Sequence, residues 1–106
     1  GRYSFKLNGP LICEFERTTG SAFYGAARRV INKEPKFFEV SEMIRLALIG
    51  GGTTPACAKQ LVEIYVDNAP VMSALGLALE IITRTFFGEL AADEPANPDK
   101  QETPAS

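Results

Sequence analysis

The hydrophobic positions of this chain fall mainly three and four residues apart, in runs that end at glycine or proline. Such spacing places apolar side chains along one face of an α-helix. Five segments follow this pattern, and we predict helices near residues 10–19, 21–33, 41–50, 54–69 and 70–88. The predicted apolar face of the fourth helix consists of Cys57, Leu61, Ile64, Tyr65 and Asn68. The fold class predicted is therefore mainly α, a small domain of about five short helices.

Residues that cap or interrupt helices set the predicted boundaries. Pro10 follows Asn8-Gly9 and suits the first turn of a helix, where its missing N–H costs nothing. Gly20 is predicted to end that helix in a left-handed conformation. Ser21, Ser41 and Thr54 are the predicted N-caps of the second, third and fourth helices. The second helix is predicted to stop at Glu34-Pro35, because the residue before a proline disfavours a helix. Residues 36–40 are predicted to form the loop that follows.

The N-terminal residues have a different period. Tyr3, Phe5 and Leu7 alternate with polar residues, which predicts a half-buried strand over residues 2–7. Asn8-Gly9 also permits a hairpin turn followed by a second strand, as an alternative to the first helix. We prefer the helix, which leaves the strand as a hairpin remnant whose pairing partner is open.

The segment from Val71 to Phe87 is apolar nearly all round. Its polar stripe consists of Ser73, Glu80 and Arg84, with the last two spaced for an ion pair. A helix of this kind is either central in the fold or packed against another molecule. The segment contains charges and does not reach the roughly 20 unbroken apolar residues of a membrane span, so no membrane partner is predicted.

Charge divides the chain into two parts. The net charge is −2, and residues 91–106 alone sum to −3, with three prolines and otherwise no apolar residue larger than alanine. We expect a single helical domain over residues 1–90 and a disordered acidic, proline-rich tail over residues 91–106. The nearly neutral domain lacks the basic surface typical of nucleic-acid binding, so no nucleic-acid partner is predicted. The absence of a signal-peptide pattern predicts a cytoplasmic location.

No catalytic constellation is evident in the sequence. The chain has no histidine, which removes the usual general base and most zinc sites, so no enzyme activity, metal or cofactor is predicted. Cys13 and Cys57 lie among apolar neighbours and are expected to be buried free thiols. Gly50-Gly51-Gly52 lacks the lysine of a phosphate-binding loop, and positive φ angles at a helix end explain the three glycines.

Two helices joined by a glycine turn also suggest a helix-turn-helix. The candidate recognition helix after Thr54 carries Lys59 against Glu63 and Asp67, a poor composition for reading DNA. A small DNA-binding protein is kept as the weakest of three functional alternatives.

Two stretches of the chain resemble small proteins encoded in the tail gene clusters of phages and gene transfer agents. PLICEFERTTGSAF, from Pro10, is similar to the family's NALCEFEEETGxS region. EMIRLALIGGGTTPACAKQLVEIYVD, from Glu42, is similar to its LIGGG-x-(S/T)-P-x-x-A block, which an apolar last helix follows. The similarity extends over most of residues 2–88.

The resemblance implies a tail assembly chaperone acting in the cytoplasm of the bacterial host. Members of the family are regarded as binding the tape measure protein during tail assembly, and some carry the label of tail tube proteins. The implied partner is the tape measure protein and, secondarily, the tail tube protein, while a homo-oligomer is left open. A structural tube component is the first alternative.

Such a chaperone would need apolar side chains at its surface. The candidates lie on the predicted loop and on the last helix: Phe37, Phe38, Leu77, Phe86 and Phe87. The alternative is that all five belong to the hydrophobic core, as apolar residues usually do.

Overall fold

The structure is a computed structural model that describes residues 3–93, with side chains described as far as residue 88. A π-helical segment, Glu63–Asp67, continues the fourth helix. The α-helices are α1 (Gly9–Thr19), α2 (Phe23–Ile31), α3 (Phe37–Gly50), α4 (Pro55–Val62) and α5 (Val71–Asp93). The mainly helical fold predicted from the sequence is confirmed for this part of the chain.

Helix α3 is the centre of the domain, since α1, α4 and α5 all pack against it. Its buried side chains point to several sides: Val40, Met43, Ile44, Leu46, Ala47 and Leu48. The prediction of a loop at residues 36–40 and of Ser41 as a cap is wrong, because α3 begins four residues earlier, at Phe37. Glu39 occupies the first turn, where the positive end of the helix dipole stabilises a carboxylate.

The predicted strand at residues 2–7 is not found, and no strand occurs among residues 3–93. Residues 3–8, which we call the N-terminal strap, are extended but lie across the C-terminal end of α3 instead of pairing with another strand. The Lys6 N–H donates to the Ala47 carbonyl at 2.9 Å. The two-residue alternation still indicates which side chains of the strap are buried: Phe5 and Leu7 face the core, while Ser4 and Lys6 are exposed.

The glycine run permits this close crossing. A Cβ on Gly50 would lie 1.9 Å from the Lys6 carbonyl oxygen, and one on Gly51 would lie 2.0 Å from the Ser4 carbonyl oxygen. Only Gly52 has a positive φ, +110°. The explanation of all three glycines by backbone conformation is therefore wrong for two of them, which are needed for the approach of another segment of backbone.

The predicted helix caps are partly correct. Asn8 accepts from the Leu11 N–H, Thr54 accepts from the Cys57 N–H, and Gly20 ends α1 with φ +73°. Ser21 does not cap α2, whose N-cap is Ala22 without a side-chain hydrogen bond. Glu16 supplies the acceptor instead, since its Oε2 lies 2.8 Å from the Phe23 backbone N.

The π-helical segment changes which side chains of the fourth helix are buried. An α-helical continuation would place Ile64 and Tyr65 beneath Leu61 on the predicted apolar face. The wider π-turn rotates later residues around the axis, so that Val66 is buried while Ile64 and Tyr65 are exposed. The predicted face that included Ile64, Tyr65 and Asn68 is wrong from residue 64 onward.

A partly buried ion pair joins α2 to the first turn of α3. The guanidinium of Arg29 donates to both carboxylate oxygens of Glu39, at 3.0 and 2.6 Å. The Glu39 side chain is 3% exposed and that of Arg29 is 35% exposed. Burial raises the pKa of Glu39, but hydrogen bonds from Arg29 and Ser21 and the positive charge of Arg29 outweigh it, so the net pKa is lowered.

This pKa shift predicts an acid-sensitive contribution to stability. A carboxylate whose pKa is lower in the folded than in the unfolded state stabilises the fold above its ordinary pKa of 4.5. That contribution is lost as the pH falls through the lowered value. Urea titrations at pH 7 and pH 3 should show a smaller difference in unfolding free energy for Glu39→Gln than for the native chain; an equal difference would contradict this.

Helix α5 is interrupted near its end. Gly88 has φ +77° and ψ 169°, which is not helical, so the regular part agrees with the predicted helix at 70–88. The helix continues to Asp93, into the first residues of the predicted tail. The rest of that tail, residues 94–106, lies outside the described residues.

Candidate functional site

An apolar groove opens between the strap, α3, the fourth helix and α5. Its volume is about 360 Å³. The lining side chains come from all four elements: Tyr3, Phe5, Ile44, Leu48, Leu61, Tyr65, Ser73 and Leu77. Because seven of these eight residues are apolar or aromatic, the groove suits an apolar side chain of a partner protein better than a polar ligand.

Two tyrosines form the exposed part of the groove. Tyr3 belongs to the strap, and Tyr65 is turned outward by the π-helical segment. Tyrosine combines a large apolar ring with a hydroxyl that remains in water, which suits the edge of a protein interface. Sequence periodicity missed this site, because the π-turn that exposes Tyr65 breaks the spacing on which the prediction relied.

A second cavity, of about 380 Å³, shares Tyr3, Phe5 and Leu77 with the groove. It is lined in addition by Glu80 and Arg84, whose side chains form an exposed ion pair at 3.0 Å. That pair confirms the spacing prediction for the last helix. Together the two cavities form an apolar depression with charged groups at one end.

The structure separates the five candidate partner-binding residues into three locations. Leu77 is partly buried and lines the groove. Phe86 and Phe87 are exposed near the other end of α5, about 14 Å further along the helix axis. Phe37 and Phe38 are exposed on the first turn of α3. Four of the five are thus on the surface, while their binding to a partner stays a prediction.

Aromatic rings cluster where α5 meets α2. The ring of Phe86 lies 5.9 Å from both Phe23 and Tyr24, and Phe23 in turn packs edge-on against Phe15 at 5.4 Å. Phe15 and Phe23 are buried, whereas Tyr24 and Phe86 are exposed. The cluster therefore connects the hydrophobic core to an apolar patch on the outer side of α5.

The remaining candidate chemistry is sparse. Residues 3–93 contain no group of three His, Cys, Asp or Glu side chains placed to hold a metal ion. Cys13 is exposed, so the expectation that it is buried is wrong, and Cys57 is partly buried. The basic residues of α2 include Arg29, which is already bound to Glu39.

The segment Val71–Gly88 of α5 satisfies the length and composition of a membrane-spanning helix, with a mean hydropathy of 1.4. By mean hydropathy, one segment therefore does approach a membrane span, although it lacks the 20 unbroken apolar residues used as the criterion above. The core helix of a soluble protein satisfies the same criteria of length and composition, and 28% of this segment is buried inside the domain. What stands out is that most of this apolar helix faces outward.

Comparison with known proteins gives one result. No curated protein and no solved structure matches the chain. A family model described as phage tail tube protein, GTA-gp10, matches residues 1–88, which include the groove, the glycine run and the regular part of α5. The chain therefore belongs to this family of phage and gene transfer agent tail proteins.

Proposed function

We propose that this protein is a tail assembly chaperone that binds the tape measure protein during tail morphogenesis in the cytoplasm of the host cell. Family membership supports a role in the tail. The observation that carries the finer proposal is the apolar groove around Leu77 and Tyr65, which offers a concave surface to apolar side chains. A long apolar helix awaiting assembly presents side chains of that kind every three or four residues.

The floor of the groove is formed before a partner binds. Its floor consists of core residues such as Ile44 and Leu48, which hold its shape without the partner. Its cover includes the strap, one of whose contacts is the hydrogen bond from Lys6 to Ala47. A rigid floor lowers the entropic cost of binding.

Co-expression with the tape measure protein tests the function. We expect the tape measure protein to be soluble and to co-purify when the two are made together, and to aggregate when it is made alone. Equal solubility with and without this chain, together with failure to co-purify, would refute the chaperone function.

A pair of matched variants tests the groove. Tyr65 and Ile31 are equally exposed, at 56% and 54%, but only Tyr65 lines the groove. Tyr65→Lys should reduce the yield of the complex about tenfold, equivalent to about 1.4 kcal/mol, since it removes an aromatic contact and places a charge beside an apolar groove. Ile31→Lys should leave the yield unchanged. An equal effect of both variants would assign binding to another surface.

The description of the family favours one alternative, a structural tube component. A tube subunit must make repeated head-to-tail contacts, so it should form rings of one size and be found in purified particles. A chaperone should do neither. Mass spectrometry of purified particles, with the tube and tape measure proteins as internal standards, separates the two functions.

A further inference from the structure

Helix α2 presents a stripe of side chains that the described residues leave exposed. Tyr24, Arg28 and Ile31 follow one another at intervals of four and three residues, so they lie on one face of the helix. Tyr24 is 66% exposed, although the ring centroid of Phe86 lies 5.9 Å from its own, and Ile31 is 54% exposed. We call this stripe the α2 face. It shares no residue with the lining of the groove.

The surface around the C-terminal end of α2 is basic. Arg29 contributes no net charge there, since its guanidinium is bound to the carboxylate of Glu39. Three other basic side chains stand against one acidic side chain, a balance of +2. Such a surface favours an acidic ligand that also has apolar groups for the α2 face. These four exposed side chains are Arg28, Lys33, Glu34 and Lys36.

The end of the chain has the complementary composition. Residues 94–106, the C-terminal segment, contain three acidic side chains and one basic side chain, a balance of −2. Within the segment, Pro95 and Pro98 form a Pro-x-x-Pro motif between Glu94 and Asp99. Motifs with this proline spacing bind aromatic-lined surfaces in the polyproline II conformation, at a low entropic cost.

We propose that residues 94–99 bind the α2 face of their own chain, with one proline on Tyr24 and the other on Ile31. In polyproline II, residues three apart lie on one face, so Pro95 and Pro98 are about 9.3 Å apart along its axis. Tyr24 and Ile31 are seven residues apart on α2, about 10.5 Å along the helix axis. The spacing of the two prolines therefore fits the spacing of the two apolar side chains.

The charges on both sides of the motif fit the same surface. Because Glu94 and Asp99 flank the motif, one of them reaches the C-terminal end of α2 in either direction of the segment. Lys33 lies two residues beyond Ile31 at that end. Arg28 lies between the two apolar contacts, where its guanidinium can donate to backbone carbonyls that polyproline II leaves without internal hydrogen bonds.

The connection to α5 is short enough for this contact. Phe86, which contacts Tyr24, lies two residues before Gly88, where a φ of +77° interrupts the helix. From Gly88 to Asp93 the helix advances about 7.5 Å, and the next two residues add at most about 7 Å. Pro95 therefore lies within about 15 Å of Gly88, a distance comparable with the length of the α2 face.

This contact is independent of the proposed chaperone function, because it leaves the groove open. It covers an exposed aromatic and aliphatic surface that would otherwise be available to other proteins.

A spin label on the C-terminal segment tests the proposal in the full chain. Gln101→Cys, in a Cys13→Ser/Cys57→Ser background, carries the nitroxide, and the reduced label gives the reference NMR intensities. The backbone amides of Arg28 and Ile31 should lose most of their signal, while those of α4 and of the groove should keep theirs. Weak broadening spread evenly over the domain, or broadening centred on the groove, would overturn the proposal.

Two double variants test the role of charge. Arg28→Glu/Lys33→Glu reverses two charges beside the α2 face and should restore the lost signal. Lys6→Glu/Lys59→Glu makes the same change in net charge, but neither residue belongs to α2, so the signal loss should persist. Unchanged amide shifts in α3 show that each variant is folded. An equal effect of both double variants would mean that net charge alone acts, which contradicts a specific contact.

The prolines and the choice of chain are tested in the same way. Pro95→Ala/Pro98→Ala should restore the signal, whereas Pro104→Ala, outside the motif, should not. A mixture of spin-labelled chain and isotope-labelled chain without the nitroxide should show no broadening. Broadening of the α2 amides in that mixture would place the segment on a second copy and would overturn the intramolecular contact.

Discussion

Gly50→Ala is expected to lower the free energy of unfolding by about 2–3 kcal/mol. The new Cβ would lie 1.9 Å from the Lys6 carbonyl oxygen and 2.7 Å from Leu11 Cδ1. The leucine side chain can rotate away, but a backbone carbonyl moves only if the strap moves. We therefore expect the strap to detach from α3.

The magnitude follows from what the strap contributes. Detachment exposes Leu7, whose burial is worth roughly 1.5–3 kcal/mol, and breaks the bond from Lys6 to Ala47, worth roughly 0.5–1.5 kcal/mol. The better helix propensity of alanine returns up to about 1 kcal/mol. The melting temperature should fall by about 10–20 °C.

Gly76→Ala is the matched control. It makes the same chemical change in a helix, but the added Cβ meets nothing within 4 Å. It should raise stability by about 0.5–1 kcal/mol through helix propensity alone. If Gly50→Ala and Gly76→Ala changed the melting temperature in the same direction, the strap crossing would be wrong.

Arg29→Met is expected to destabilise the domain by about 2–3 kcal/mol at pH 7. The substitution keeps the aliphatic part of the side chain but removes the donors to a Glu39 carboxylate that is 3% exposed. An unpaired buried charge commonly costs 3–5 kcal/mol, and the partial exposure of Arg29 places this pair below that range. Urea denaturation measures the loss as a lower midpoint with an unchanged slope.

The double variant Arg29→Met/Glu39→Leu separates pairing from packing. Replacing both charges with apolar side chains removes the unpaired carboxylate, so much of the lost stability should return. Glu39→Leu alone should cost less than Arg29→Met, because it leaves the partly exposed guanidinium accessible to water. If the double variant is less stable than Arg29→Met, the cost comes from packing rather than from the buried charge.

The starts of helices were predicted correctly where an N-capping residue directly precedes a run of helically spaced apolar residues. Asn8 with Pro10 fixes the start of α1, and Thr54 with Pro55 fixes the start of α4, because these side chains act on backbone groups only three residues away. Prediction was wrong at the start of α3. There Glu39 is bound by Arg29, ten residues earlier in the chain, and no local pattern reveals that partner.

The candidate site was predictable only in part. Composition pointed to α5 as an apolar helix with an outward surface, and Phe86 and Phe87 are indeed exposed. The groove was not predictable, since it depends on the strap lying beside α3 and on the π-turn that moves Tyr65 outward. The strap's position brings together distant parts of the chain, and the π-turn at Glu63–Asp67 departs from the helical spacing on which the prediction relied.

The sequence by itself determined the helical class, most helix boundaries and the membership of a tail protein family, because these depend on spacing and short motifs. The tertiary structure alone decided the role of Gly50 and Gly51. Their sequence is equally compatible with a turn, and only the approach of the Ser4 and Lys6 carbonyls excludes a side chain there. Steric exclusion between distant segments leaves no local periodicity, so it becomes visible only when the chain is folded.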